Sequence, residues 1–372
     1  MNDNVFLIGA RYPHHAAHSG YEGFCRWGGS RLGLPVNFRE AVSWKTKRWG
    51  FLSRELLQRI DNLAIAIAKR PGYSLAALLA EGAGALQMLK RRGCIFHVLY
   101  GDTDLSWLGS MSRITKNRLV ATFHQPPAGM EMLAVNSRIT KNLAAAVIVS
   151  DSQREYLTRL LPPERIFTVP HGVDTDFFRP AQKLSEEPVC ITVGAHWRDF
   201  YTLEQAIYRI WEVNPEMRFI AVGTDRYKGN RLDMGLNIRD SRVQYLVRLT
   251  DEQLRDAYQK ARVAVFSFWD ATANNSLLEA MACGLPVVST DIGGIHEYLG
   301  DEAGLLCPHY DPEALDKAPK ATAGAVLRLL DDRSLAGRMG AAGRARALQF
   351  DYKVVARQMS GVYSRILVKS AN

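Results

Sequence analysis

The chain has 372 residues, 47% of them apolar and 23% charged, with 47 Lys and Arg against 38 Asp and Glu for a formal net charge of +9. This is the composition of an ordinary globular protein and excludes a disordered or fibrous chain. The length exceeds what one core usually serves, so two domains of roughly 150 to 200 residues are expected. All the excess charge lies in the first half: residues 1–180 hold 23 Lys/Arg against 14 Asp/Glu, and residues 181–372 hold 24 of each.

The N-terminus, MNDNVFLIGARYP, has no basic segment ahead of its short apolar run and does not read as a secretory signal. No stretch reaches 18 consecutive apolar residues, so a soluble protein is expected. The five cysteines (Cys25, Cys94, Cys190, Cys283 and Cys307) are odd in number and form no C-x-x-C pair, which fits a reducing, cytoplasmic setting.

In chain order, the apolar, β-branched runs that predict strands are 5–10, 95–100, 119–124, 145–150 and 166–170, then 189–194, 219–223, 243–247, 263–268, 287–290 and 304–308. Amphipathic stretches separate them. Runs apolar along their whole length and alternating with helices predict parallel strands buried on both faces, hence two doubly wound α/β domains. The boundary is expected in HGVDTDFFRPAQKLSEEP (171–188), which lacks periodicity. Helical patterns at 333–350 and 351–369 close the chain, the second able to pack across to the first domain.

Residues 38–54, FREAVSWKTKRWGFLSR, interleave Arg39, Lys45, Lys47, Arg48 and Arg54 with Phe38, Trp44, Trp49 and Phe51. Such a stretch suits peripheral contact with an anionic membrane or a groove for an acidic or lipid-phosphate acceptor; the plainer reading is a solvated helix with its aromatics turned inward. No nucleic-acid-binding motif accompanies the charge.

Ligands of open parallel sheets bind beyond the carboxyl ends of the strands. His124, Arg198, Asp225 and Asp270 all follow predicted strands. The segment NNSLLEAMACGLPVVSTD (274–291) adds two amides, Ser276 and Glu279 at the start of a short helix. It has two readings. Ser276 and Glu279 fit a capping box with Gly284 as the left-handed terminator, or a helix N-terminus offers its N–H groups to phosphate while Glu279 accepts from ribose hydroxyls. GDTD (101–104) is the one D-x-D pair of interest and is read as a turn, so no metal ligand set is expected.

The segments SLLEAMACGLPVVSTDIGGIHEYL (276–299), VPHGVDTDFFRP (169–180), AVIVSDSQREYL (146–157) and TDEQLRDAYQKARVAVFSF (250–268) resemble the retaining, nucleotide-sugar-dependent glycosyltransferases of family four, also called glycosyl transferases group 1. That resemblance implies the α/β GT-B fold: two Rossmann-like doubly wound domains with a cleft between them and a C-terminal helix crossing back to the first. The implied division is 1–175 for the acceptor side, 176–350 for the nucleotide sugar and 351–372 for the returning helix. It further implies Glu279 on the donor ribose, and Asn274, Asn275 and Ser276 at the helix start facing the diphosphate. Arg198, with Gly194 and His196, lies at the leaving phosphate and Asp225 on a donor-side loop. His124 is close to the transferred sugar, to orient or polarise it, and LVATFHQPP (119–127) is the strand that delivers it. HSGYEG (18–23), with Gly20 and Tyr21, falls on the acceptor side.

Two positions depart from the pattern. Ala271 stands where the family has a glutamate eight residues before Glu279, leaving Asp270 beside it as a replacement. Ala195 and His196 follow Gly194 where an arginine is usual. The implied reaction moves a sugar from a nucleoside-diphosphate sugar to a hydroxyl of a lipid-linked, polysaccharide or small-molecule acceptor. It proceeds with retention and no metal or other cofactor. The alternatives are a sugar-nucleotide 2-epimerase of the same fold and a non-catalytic scaffold that has kept it.

Overall fold

The computed structural model describes residues 5–11, 18, 21, 23, 38–45, 54–182, 186–224 and 235–368. The chain divides into two units: residues 1–16, 20–172 and 352–372 in the first, 17–19 and 173–351 in the second. The division falls between Gly172 and Val173, inside the aperiodic segment 171–188.

In the first unit the described strands are β1 (Val5–Arg11), β2 (Phe38–Lys45), β3 (Ile95–Val98), β4 (Arg118–Phe123), β5 (Leu143–Ile148) and β6 (Ile166–Thr168), in spatial order β2-β1-β3-β4-β5-β6. Every neighbouring pair is parallel. The central strands are largely apolar because both of their faces are covered, as in β3, whose four residues are all buried and whose one polar side chain, His97, is hydrogen-bonded inside.

Residues 38–45 correct the helical reading of the basic aromatic stretch. They form an edge strand paired with β1, and the rest of the stretch up to residue 53 lies outside the described residues. Gly101–Asp104 corrects the turn: it is a single helical turn with Asp102 and Asp104 buried. The helix Tyr352–Val368 belongs to this unit and buries Val355, Met359, Val362, Tyr363 and Ile366.

In the second unit β7 (Val189–Val193), β8 (Arg218–Val222), β9 (Val243–Leu246), β10 (Val263–Phe266), β11 (Val287–Thr290) and β12 (Gly304–Cys307) run in the order β12-β11-β10-β7-β8-β9. These pairs too are all parallel. That is the doubly wound nucleotide-binding order, and it reverses between β7 and β10. The crevice at such a reversal is where ligands of this architecture bind.

The linker after Val173 is fastened by Arg344, which donates to the carbonyls of Thr175 (3.0 Å), Phe178 (2.9 Å) and Ala282 (2.9 Å). One arginine thereby satisfies a terminal carbonyl of the helix Asn275–Ala282 as well as the linker. Gly340 lets the helix Arg333–Gln349 lie against that helix end: a Cβ there would come within 2.2 Å of the Gly284 carbonyl oxygen.

Candidate active site

At the reversal point β7 is followed by Gly194, whose φ of 88° lies in the left-handed region that glycine adopts without strain. The chain then turns through His196, exposed, and Trp197 before Asp199 caps the helix Phe200–Val213 by accepting from Thr202 N at 3.0 Å. This turn drives Arg198 inward. Only 5% of it is exposed, and its guanidinium lies over the rings of Phe266 (4.9 Å) and Phe268 (4.2 Å).

The Arg198 guanidinium donates to the Val193 carbonyl and lies 3.4 Å from both the Gly194 carbonyl and Asn274 Oδ1. Its Nη1 is buried with no hydrogen-bond partner among the described residues. Burial pushes its pKa down to about 9, the Tyr258 hydroxyl acting in the opposite sense, so the charge persists at neutral pH.

The helix Asn275–Ala282 begins on the other side of the crevice. Its N-cap is Asn274, whose side chain accepts from Leu277 N at 3.0 Å. The expected capping box of Ser276 and Glu279 is therefore not formed, because the cap lies two residues earlier. Asn275 and Ser276 occupy the first turn, where backbone N–H groups lack helical partners. A Cβ on Gly194 would stand 3.5 Å from Arg198 Nη2 and 3.7 Å from Ser276 Oγ, so bare backbone, cation and helix start converge.

Glu279, one turn in, is buried and accepts from the Tyr258 hydroxyl at 2.9 Å. Burial and the Glu279 carboxylate together push the Tyr258 hydroxyl well above its ordinary range, which keeps it a donor. Gly284 ends this stretch with φ 75°, the left-handed terminator its sequence implied.

Asp270 is half-buried, and its Oδ1 accepts from the amide of the next residue, Ala271, at 2.7 Å; partial burial raises its pKa. The Asp270–Ala271 bend is seated on Gly293, where a Cβ would come within 1.9 Å of the Ala271 carbonyl oxygen, and Gly294 N donates to that oxygen at 2.9 Å. Tyr258, Phe268 and Gly293 were not singled out from the sequence, because each acts through a partner distant in the chain. Asp225 lies outside the described residues.

In the first unit His124 follows β4 directly. Its Nε2–H donates to the Leu99 carbonyl at 2.7 Å, and its Nδ1 faces His171 Nε2 at 2.8 Å. A carbonyl only accepts, so a neutral His124 carries its proton on Nε2 and His171 donates to Nδ1. Tyr21, buried, sets its ring edge-on to His124 at 4.8 Å and pairs its hydroxyl with Thr122 Oγ1 at 3.1 Å. Gly20 lies outside the described residues.

Asp102 accepts from His124 N at 2.6 Å and holds the loop behind the histidine; burial raises its pKa to about 6. The D-x-D pair thus contributes a backbone anchor. Deeper in, His97 joins Thr122 Oγ1 (2.7 Å) to the Tyr363 hydroxyl (2.6 Å) and is held neutral by burial, its pKa lowered to about 3. Among the described residues no group of three or more His, Cys, Asp or Glu is placed to hold a metal ion, and no helix is long and apolar enough to cross a membrane.

Two parallel, doubly wound units define a GT-B architecture, and solved structures agree. Sucrose-phosphate synthase from Thermosynechococcus elongatus matches with a TM-score of 0.71 at 19% identity, covering 99% of this chain and 100% of that one. HepE of Anabaena, solved in complex with UDP-glucose, matches with a TM-score of 0.68 at 16% identity, covering 97% and 99%.

The family described as "Glycosyl transferases group 1" matches residues 187–332. Phosphatidyl-myo-inositol mannosyltransferase of Mycobacterium tuberculosis is 27% identical over 269 residues, 68% of this chain and 69% of that protein. Alpha-maltose-1-phosphate synthase of the same organism is 36% identical over 255 residues, 60% of this chain and 63% of that protein. Residues 187–332 are thus similar to the group 1 glycosyltransferases, and the comparisons support a sugar-transferring enzyme that uses a nucleotide-sugar donor.

Proposed function

We propose that the second unit binds the diphosphate of the donor between Arg198 and the start of the helix Asn275–Ala282, with Glu279 on the ribose, and that transfer proceeds with retention and without a metal. One observation carries this reading: a guanidinium 5% exposed, with no carboxylate on it and with Nη1 unpartnered among the described residues. A buried charge is costly unless something compensates it, and a diphosphate would do so. As the glycosidic bond breaks, charge builds on the departing phosphate oxygen, and fixed donors at that oxygen commonly contribute several kcal/mol.

In this mechanism the departing phosphate oxygen itself takes the proton of the incoming hydroxyl. His124 is a poor candidate for a base, because Nε2–H is committed to Leu99 and Nδ1 to His171. We assign it, with Tyr21, to orienting sugar and acceptor. Asp270 stands in for the glutamate missing at Ala271. Lipid or glycan acceptors are favoured by the relatives, one named for phosphatidyl-myo-inositol and one for maltose-1-phosphate. Contact of residues 38–54 with an anionic membrane belongs to the same proposal.

Thermal melting with UDP, GDP, ADP and dTDP, with and without EDTA, tests the donor site. One nucleotide should raise the melting temperature regardless of EDTA, and Glu279→Ala should abolish the rise. No shift with any of them would remove the donor site. His124→Ala turning over within a few-fold of wild type would remove the orienting role.

A further inference from the structure

The loops after β7, β10 and β12 in the second unit bring three aromatic side chains together on the ligand side of the sheet. Trp269 follows β10, Tyr310 follows β12, and Tyr201 opens the helix after β7. The Trp269 and Tyr310 rings meet edge to face at 5.1 Å and 73°, and Tyr310 meets Tyr201 at 5.6 Å and 89°. Trp269 nevertheless remains 41% exposed. Its backbone is also fixed: the Trp269 main-chain N–H donates to the Trp197 carbonyl at 2.9 Å, and the preceding Phe268 N donates to Thr290 Oγ1 at 3.0 Å.

An indole set edge to face against Tyr310, itself braced by Tyr201, has given up freedom without gaining full burial, which is the condition of a ring poised for a ligand. Its chain neighbour on one side is Asp270, and Trp197, to which it is tied, precedes Arg198. The shelf therefore adjoins the anion site and offers a flat apolar face beside a carboxylate. A pyranose presents the complementary pair, an apolar C–H face and a rim of hydroxyls.

We infer that Trp269, backed by Tyr310 and Tyr201, stacks on a pyranose ring, either the sugar of the nucleotide donor or a ring of a saccharide acceptor. The inference rests on the proposed donor site. Its polar end engages the sugar hydroxyls through Asp270, and its selectivity lies in the shape of the ring, independent of the base.

Calorimetric titration of wild type, Trp269→Ala and Trp269→Phe with UDP, UDP-glucose, GDP and GDP-mannose tests the donor arm. Titration with maltotetraose at saturating diphosphate tests the acceptor arm. Trp269→Ala should bind the free diphosphates within about twofold of wild type while losing about tenfold for the nucleotide sugar or the saccharide, and Trp269→Phe should recover most of that loss. A loss confined to nucleotide sugars identifies the donor ring, and one confined to maltotetraose the acceptor ring. Unchanged affinity for every probe, or an equal loss for diphosphates and sugars, overturns the shelf and leaves the donor site standing. A wild type that binds no diphosphate overturns both.

Discussion

Arg198→Met should stabilise the empty protein while destroying its response to nucleotide. Burial lowers the Arg198 pKa from its ordinary range to about 9, which corresponds to a penalty of about 5 kcal/mol on the charged form. The faces of Phe266 and Phe268 return about 2 kcal/mol of that. A methionine of similar length keeps the contact with both rings and carries no charge but strips the Val193 carbonyl of its donor, which costs about 1–2 kcal/mol, so the net gain is about 1 kcal/mol, or roughly 2 to 4 °C in melting temperature.

The sign with pH follows from proton counts. At this group the unfolded chain holds more protons than the folded one only above about pH 9, so below about pH 9 the penalty is constant. The gain should therefore be equal at pH 6 and pH 8. Chemical denaturation and thermal melting of wild type and variant, each with UDP, GDP, ADP and dTDP, measure both effects. An Arg198→Met protein less stable than wild type and still stabilised by a nucleotide would refute the reasoning.

His97→Gln should flatten the acid limb of stability. His97 is neutral in the fold and its pKa is lowered to about 3, so its contribution is complete above 6.5 and declines as pH falls towards 3. Between pH 7 and pH 5 the advantage of wild type over the variant should shrink by about 2 kcal/mol in urea titrations. Asp102, raised to about 6, acts in the opposite sense between 3.8 and 6, which is why the difference between the two proteins is the quantity to follow. Gly340→Ala, a change that gains about 1 kcal/mol in an ordinary helix, should instead cost about 2 kcal/mol, because its Cβ would meet the Gly284 carbonyl at 2.2 Å; a raised melting temperature would contradict that packing. Asp102→Ala should cost about 2 kcal/mol by stripping the His124 amide of its partner, and should slow turnover while leaving the nucleotide-induced melting shift intact.

The strands buried on both faces were legible because such strands are predominantly apolar and β-branched, with an occasional hydrogen-bonded polar residue such as His97. β2 escaped for the converse reason: Phe38–Lys45 is an edge strand and tolerates Arg39, Glu40 and Lys45, which blur it into the charged stretch that follows. At the candidate site, strand ends and the family resemblance singled out Gly194, Arg198, Ser276 and Glu279, and folding brings the first three together. The cap was misplaced because Asn274 and Ser276 are both good N-caps two positions apart, and only backbone geometry chooses between them. Tyr258 and His171, and the role of Asp102 beneath the His124 amide, were illegible, since each works on a residue that folding alone brings near.

The helix Tyr352–Val368 belongs to the first unit, where Tyr363 meets His97, yet it comes last of the described elements in the chain. On the ribosome, at about 5–20 residues per second, Tyr352 emerges on the order of ten to forty seconds after Gly172. Through that interval the first unit must wait with β3 uncovered at His97 while the second unit acquires all its strands. The first unit therefore completes its packing only after the second has been synthesised, the converse of the usual N-terminal-first order.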